Sequence, residues 1–306
     1  MRPSLTKYAW LAVGTAVLTI GIKLAAYLLT GSVGLLSDAL EGIVNLVAAL
    51  VVLVTLKIVE QPPDESHQYG HDKAEYFSSG IEGTLIVIAA LSILFTSTQR
   101  LLNPQPLEQV GLGLILALVA SGLNFFVGQL LIRTGKTHDS ITLEADGKHL
   151  MSDVWTSVGV VIGVAIAVFT GLEWLDPVVA IIVGLKIGWE GILIFRRSLQ
   201  GLMDAAINPQ ELVKVENVLA KHCQNGITWH ALRTRQSGSR RFVSFHILVP
   251  GDWSIQQGHD LAEVIETDIG SQIKHCTVFT HLEPIEDPRA FVDQNLARTD
   301  GAPRKD

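Results

Sequence analysis

The chain has 306 residues, of which 48% are hydrophobic and 17% charged, against roughly 25% charged in an ordinary soluble domain. Its 30 acidic residues outnumber 23 basic ones, and the net charge of −7 offers no electrostatic footprint for nucleic acid. Polar residues are unevenly spread: the chain up to about Ser198 is apolar, and the remainder reads as a soluble domain.

The N-terminus is basic (Arg2, Lys7) and runs into an apolar stretch, as a signal peptide does. The stretch at 8–29 is nevertheless long enough to cross a bilayer, which takes roughly 20 residues, and no evident small-x-small cleavage site precedes the next span. It is expected to be a first transmembrane helix rather than a removed segment. Further apolar segments at about 33–58, 77–101, 109–133, 148–170 and 175–195 predict five more spans. Their connections carry turn chemistry: Thr30-Gly31-Ser32, a polar stretch at 60–73 rich in Pro and His, the Pro-punctuated Asn103-Pro-Gln-Pro-Leu-Glu108, a mixed charged stretch at 133–148, and a short turn at 170–173. Arg2, Lys7, Lys57, Lys73, Arg133, Lys136, Lys148, Arg196 and Arg197 fall on one side, and Arg100 on the other. The excess places both termini in the cytoplasm. Lys23 and Lys186 lie within spans and are given no role.

After Arg197 the periodicity changes. Residues 208–222 have the apolar spacing of an amphipathic helix (Leu212, Val215, Val218, Leu219). Residues 229–236 and 241–249 alternate like strands and flank Ser237-Gly238-Ser239, a hairpin signal. Residues 254–269 are helical again, and 276–282 read as a third strand. The αββαβ order predicts a small α+β domain with its helices on one face of a sheet. The expected fold class is therefore an all-α six-helix transmembrane domain, residues 1–203, followed by a cytoplasmic α+β domain, residues 204–288, and a disordered tail, 289–306. Cys223 and Cys276 are expected to be buried or free thiols of a reducing compartment, with a disulfide or a thiolate ligand as the alternatives.

Several polar residues stand where lipid-facing helices carry none. Asp38, Glu41 and Asn45 are spaced three and four apart, so they share a stripe of the second span. His149 and Asp153 share a face of the fifth. An ionisable group at membrane depth costs a few kcal/mol or more, about 2.5–3.5 on insertion scales, and normally faces a partner, a cavity or an ion. Glu41, Asn45, His149 and Asp153 together offer one nitrogen and three oxygen donors, enough for a four-coordinate Zn²⁺-like ion. Asp38 either packs near the outer vestibule or guides ions, and Asp146 is expected at the water boundary. Asp64, His67 and His71 can converge on a second metal. The soluble domain holds His230, His246, His259, His281 and Glu283, with His281 and Glu283 on one side of their strand because the strand period is two.

Four fragments, Ser37-Asp-Ala-Leu-Glu-Gly-Ile-Val-Asn45, Tyr69-Gly-His-Asp-Lys-Ala-Glu75, His149-Leu-Met-Ser-Asp153 and Leu232-Arg-Thr-Arg-Gln-Ser-Gly238, resemble the cation diffusion facilitator family of divalent-metal/proton antiporters. The resemblance runs from the first span to about Pro288. It implies a Y- or V-shaped homodimer with six helices per subunit and a cytoplasmic domain of ferredoxin-like, metallochaperone type. It implies a transport site at Glu41, Asn45, His149 and Asp153, a loop site at Asp64, His67 and His71, and a cytoplasmic binuclear site at His230, His246, His259, His281 and Glu283 that cross-links the subunits. Lys73 resembles a family lysine that forms a charge interlock, with Asp204 as its partner here. The Glu41/Asn45 pair departs from the two aspartates, or His and Asp, of many zinc members. Its site carries one negative charge fewer than an all-Asp version, and suits Zn²⁺ but also Fe²⁺, Co²⁺, Cd²⁺ and, less well, Mn²⁺.

The expected function is export of a divalent transition metal, Zn²⁺ foremost, from the cytoplasm in exchange for protons. The substrates are the metal ion and the proton, with no prosthetic group, no nucleic-acid partner and no enzymatic activity. The six-span form without a cleaved signal suits a bacterial inner membrane. A membrane metalloenzyme is disfavoured because no separate base or nucleophile stands near His149–Asp153 and no His-Glu-x-x-His helix is present. A metal-sensing receptor would need an output domain, and the sequence holds none beyond the small α+β domain.

Overall fold

The computed structural model describes residues 4–30, 33–103, 111–170 and 174–292. The chain divides into two compact units, Met1–Leu202 and Met203–Asp306. Among the described residues the first unit contains six helices: α1 (Thr6–Thr30), α2 (Val33–Val59), α3 (Ala74–Leu102), α4 (Gly111–Thr137), α5 (Ile141–Thr170) and α6 (Leu175–Leu202). Thr6–Ala25 and Ala74–Leu102 are long and apolar enough to cross a membrane by length and composition.

This unit exposes large apolar side chains and buries several polar ones. Leu28, Phe95, Phe126, Ile182 and Trp189 are largely exposed, whereas Glu75, Glu82, Asp146, His149 and Asn124 are buried. Exposed apolar surface on that scale, with acids inside, is what a lipid solvent favours.

The helices outrun the apolar segments. The fifth was expected from residue 148 and begins at Ile141; the sixth was expected to stop at 195 and continues to Leu202. Hydropathy ends where charge appears, but the helical hydrogen-bond ladder does not. Ile141, Leu143 and Ala145 are buried in the added turns. Lys148 Nζ lies 3.0 Å from Glu144 Oε1 at the favourable i,i+4 spacing. The connection between α4 and α5 shrinks to His138-Asp139-Ser140, with Asp139 turning the chain at φ 53°.

Close backbone approach fixes how these helices meet. A β-carbon at Gly147 of α5 would stand 2.7 Å from the Gly128 carbonyl oxygen and 2.8 Å from Ile132 N of α4. One at Gly83 of α3 would stand 2.8 Å from Phe195 N and 3.0 Å from the Gly191 carbonyl oxygen of α6. At the ends, Ser4 Oγ and Thr6 Oγ1 donate to Glu60 Oε1 at 2.7 and 2.6 Å, tying the start of α1 to the end of α2.

The second unit runs α7 (Pro209–His222), β1 (Thr228–Ser237), β2 (Arg240–Val249), α8 (Ile255–Gln272), β3 (Cys276–Pro284) and a short 3₁₀ turn, Pro288–Phe291. Asn208 caps α7, accepting from Glu211 N at 2.8 Å, with Pro209 at the first helical position. Ser254 and Gln257 form a capping box on α8. The sheet order is β1-β2-β3, with β1 antiparallel and β3 parallel to β2. Val243, Phe245, Ile247 and Val249 of β2 point into a core shared with Val215, Leu219, Ile265 and Ile269 of the two helices. The intervening residues, His246 among them, therefore face the other way.

β1 breaks the strand period. Its register with β2 slips between His230 and Arg233, and Ala231 adopts φ 53°. This bulge lets Trp229 and Leu232, three apart, both pack on the core.

The close α4–α5 contact predicts a contrast between two glycines. Gly147→Ala is expected to overpack the pair and cost about 1–3 kcal/mol, read as a lower Tm of the detergent-solubilised protein. Gly122→Ala, whose β-carbon would meet nothing within 4 Å, is expected to leave Tm unchanged or raise it.

Candidate metal centre

The buried polar groups of the first unit converge from four helices. Asn45 lies on α2, and its Oδ1 stands 2.8 Å from His149 Nε2 of α5. Its Nδ2 donates to Asp153 Oδ2, one turn further along α5. Asn124 Nδ2 of α4 reaches the same carboxylate oxygen at 3.5 Å. On the other edge of the imidazole, His149 Nδ1 lies 3.0 Å from Glu82 Oε2 of α3. That pair is close but not aligned as a hydrogen bond, and both Glu82 oxygens are buried without a hydrogen-bond partner. Asp146 Oδ2 and Asn124 Oδ1 are also buried without one.

Of the four residues expected to hold the transported ion, Asn45, His149 and Asp153 are thus brought together. The side chains of Glu41 and Asp38 lie outside the described residues; the tail expected to be disordered from 289 begins instead within the 3₁₀ turn Pro288–Phe291, and its part from residue 293 lies outside the described residues. Asp146, expected at the water boundary, is 2% exposed, because α5 starts well before it. Glu82 and Asn124 were not singled out from the sequence. Glu82 was legible there, as a lone acid in the apolar run at 77–101.

The donor set is one imidazole nitrogen, one amide oxygen and carboxylate oxygen, with spare buried oxygens around it. That chemistry fits a borderline divalent transition metal. It is a poor fit to Mg²⁺ or Ca²⁺, which take six or more oxygens.

The loop between α2 and α3 forms a second group. Asp64 Oδ1 accepts from Ser66 N at 2.9 Å and His67 N at 2.6 Å, and lies 3.2 Å from His67 Nδ1. Asp64 Oδ2 lies 3.2 Å from His71 Nε2, and the two rings are 4.6 Å apart. The His67 backbone N–H is the main cause holding the Asp64 carboxyl below its usual range. The ligand atoms of Asp64, His67 and His71 all lie within 4.8 Å of one another.

The third group is built by sheet register. His230, His246 and His281 occupy one rung across β1, β2 and β3. Glu283 sits two residues beyond His281, on the same face. His230 Nε2 and His246 Nδ1 lie 2.9 and 3.2 Å from Glu283 Oε2, and 3.2 Å from each other. Donors at about 2.0–2.1 Å from a tetrahedral Zn²⁺ stand about 3.3 Å apart, so this triangle is close to the size a zinc ion needs. His281 stands at the rim, its side chain 63% exposed and its Nε2 3.9 Å from Glu283 Oε1. His259 is exposed on the first turn of α8 and stands outside the triangle. Its helix packs on the opposite face of the sheet, so no strand register delivers it.

Other expected residues have separate places. Asp204 Oδ1 lies 3.3 Å from Arg235 Nη1. His222 Nε2 lies 2.9 Å from Asp268 Oδ2, which also accepts from Lys221 Nζ at 2.8 Å; these bonds depress the Asp268 carboxyl. Cys223 and Cys276 are free thiols. Burial, then the nearby Glu211 carboxylate, pushes Cys276 up to about 11.

Two buried or half-buried His/carboxylate sites, one among apolar helices and one on a small mixed sheet, find their counterpart in sequence comparison. Residues 9–203 match the cation efflux transmembrane domain, and residues 207–285 match the cytoplasmic domain of cation efflux proteins. The chain belongs to the cation diffusion facilitator family. It is 50% identical over 284 residues to the uncharacterized transporter sll1263 of Synechocystis sp., covering 93% of this chain and 92% of the relative. It is 28% identical to the cation-efflux pump FieF of Shewanella oneidensis, covering 90% and 92%, and 30% identical to FieF of Serratia proteamaculans, covering 89% and 90%. As a cation diffusion facilitator it is a membrane protein of a transporter family. The histidine rung lies within the part that matches the cytoplasmic domain.

The rung geometry predicts unequal contributions. His246→Ala is expected to abolish tight Zn²⁺ binding by the cytoplasmic cluster, a loss exceeding the ~10- to 100-fold typical of an outer partner. His259→Ala is expected to cost less. Isothermal titration of the full-length protein in a His67→Ala, Asp153→Ala background reads the difference.

Proposed function

We propose that this protein exports a divalent transition metal, Zn²⁺ foremost, from the cytoplasm in exchange for protons. The observation that carries the reading is the convergence of Asn45, His149 and Asp153 from α2 and α5 inside an apolar bundle. The cation-efflux relatives support the direction of transport. The placement of Lys and Arg supports six spans with both termini in the cytoplasm, in a cell (inner) membrane. The match to the cytoplasmic cation-efflux domain supports a homodimer.

Glu41 joins Asn45, His149 and Asp153 as the fourth ligand in this reading, since it lies one turn before Asn45 on α2. The side chains do two things. They replace the hydration shell of the ion in a medium of low dielectric, and they give it up to protons. A metal needs the lone pair of His149 Nε2 and the ionised carboxylates, so protons and metal compete for the same atoms. Protons arriving from the far side displace the ion after the helices rock, and the protonated site returns inward. Asp64, His67 and His71 form an accessory loop site. His230, His246 and Glu283, with His281 and His259 at the periphery, form a cytoplasmic site that binds metal as it accumulates and steadies the dimer.

Metal uptake into proteoliposomes under an imposed pH gradient tests this. Zn²⁺ flux that follows the gradient and is lost in Asp153→Ala is expected, with Fe²⁺, Co²⁺, Cd²⁺ and Mn²⁺ moving more slowly. Flux that ignores the pH gradient would remove the antiport mechanism, and no flux of any of the five ions would remove the transporter reading.

A further inference from the structure

We propose that Glu82 is a positioning residue of the transport site: its carboxylate holds His149 through Nδ1 and brings into the site a negative charge that the neutral Asn45 does not provide. The inference rests on the transport-site reading above. Glu82 is fully buried on α3, and neither of its oxygens has a hydrogen-bond donor. A carboxylate so placed is expensive unless something compensates its charge. The group facing it is the edge of an imidazole, 3.0 Å away. That imidazole turns its other nitrogen to the Asn45–Asp153 pair. A metal-bound histidine commonly has a carboxylate behind its second nitrogen, which fixes the tautomer and the ring plane and raises the basicity of the ligating nitrogen.

The placement is built, not incidental. Glu75 lies seven residues before Glu82 on α3, and Thr142 lies seven before His149 on α5. Seven residues are about two turns and about 10.5 Å of rise on both helices. At the first level, Glu75 Oε2 accepts from Ser140 Oγ at 2.7 Å and from Thr142 N at 3.3 Å, and Thr142 Oγ1 donates to the Glu75 carbonyl at 3.1 Å. This clamp sets the register of α3 on α5. Two turns further on, the same register delivers Glu82 to His149. Rotation of α3 is fixed independently by Gly83, whose missing side chain admits the α6 backbone.

The charge also answers a deficit. Asn45 contributes a neutral oxygen where a carboxylate would help neutralise a divalent ion. Glu82 stands just behind the ligands and supplies that charge through His149.

The test is Zn²⁺ binding to the full-length protein in detergent, in a His67→Ala, His246→Ala background that disables the other two clusters. Glu82→Gln keeps the shape and an acceptor but drops the charge, and is expected to weaken binding about 10-fold. Glu82→Ala drops both, and is expected to weaken it about 100-fold. The metal-free Tm of Glu82→Gln is expected to hold or rise, because a buried carboxylate has been removed. Affinity and stability then move in opposite directions, which a merely structural role would not produce. Binding within twofold of the parent in both variants overturns the proposal, as does weakened binding matched by an equal fall in metal-free Tm. Zn²⁺ binding that survives Asp153→Ala in the same background overturns the transport-site reading itself, and absence of binding in the parent overturns both.

Discussion

The cost of charge in an apolar interior governs the first unit. Glu75, Glu82, Asp146 and His149 sit among helices whose outward faces are Leu, Phe, Ile and Trp. Such groups are retained only when other groups of the protein, or an ion, complete them. Glu75 Oε2 accepts from Ser140 and Thr142 and forms a strut between α3 and the start of α5. Glu82, Asp146 and Asn124 keep buried oxygens without hydrogen-bond partners beside His149. The first is a structural contact between two helices. The second leaves acceptor atoms beside His149.

Glycine makes this arrangement possible at short range. Gly147 brings α5 against α4 two residues before His149, and Gly83 brings α3 against α6 one residue after Glu82. In both places the backbone approach sets the azimuth of the helix, and the azimuth aims the polar side chain. Packing of the smallest residue thereby determines where the most expensive residues point.

The second unit solves a related problem with opposite materials. Its apolar residues are inside, shared by one face of the sheet and two capped helices. Its ligand-type residues are on the other face, gathered by strand register into a rung of three histidines with Glu283 beside it. The bulge at Ala231 lets β1 bury both Trp229 and Leu232 while His230 stays opposite His246. The same residue types gather in a buried cluster in one unit and in a partly exposed cluster in the other.

Much of this was legible in the residues. Apolar segment length located the helices, strand alternation and the Ser237-Gly238-Ser239 turn gave the αββαβ order, and the four-residue spacing of His149 and Asp153 put both on one helix face, because these signals depend on neighbours a few positions apart in the chain. The extra turns at Ile141–Gly147 were not visible to hydropathy, which stops at charge while backbone hydrogen bonding continues. The pairing of Glu82 with His149, 67 positions away, required the register of α3 on α5. The convergence of His230, His246 and Glu283, and the separation of His259 from them, required the order and direction of the strands. Composition and local periodicity determined which residues had to be accounted for; the tertiary structure decided which of them meet, because distance between side chains is set by helix azimuth and strand register, and neither is written at any single position of the chain.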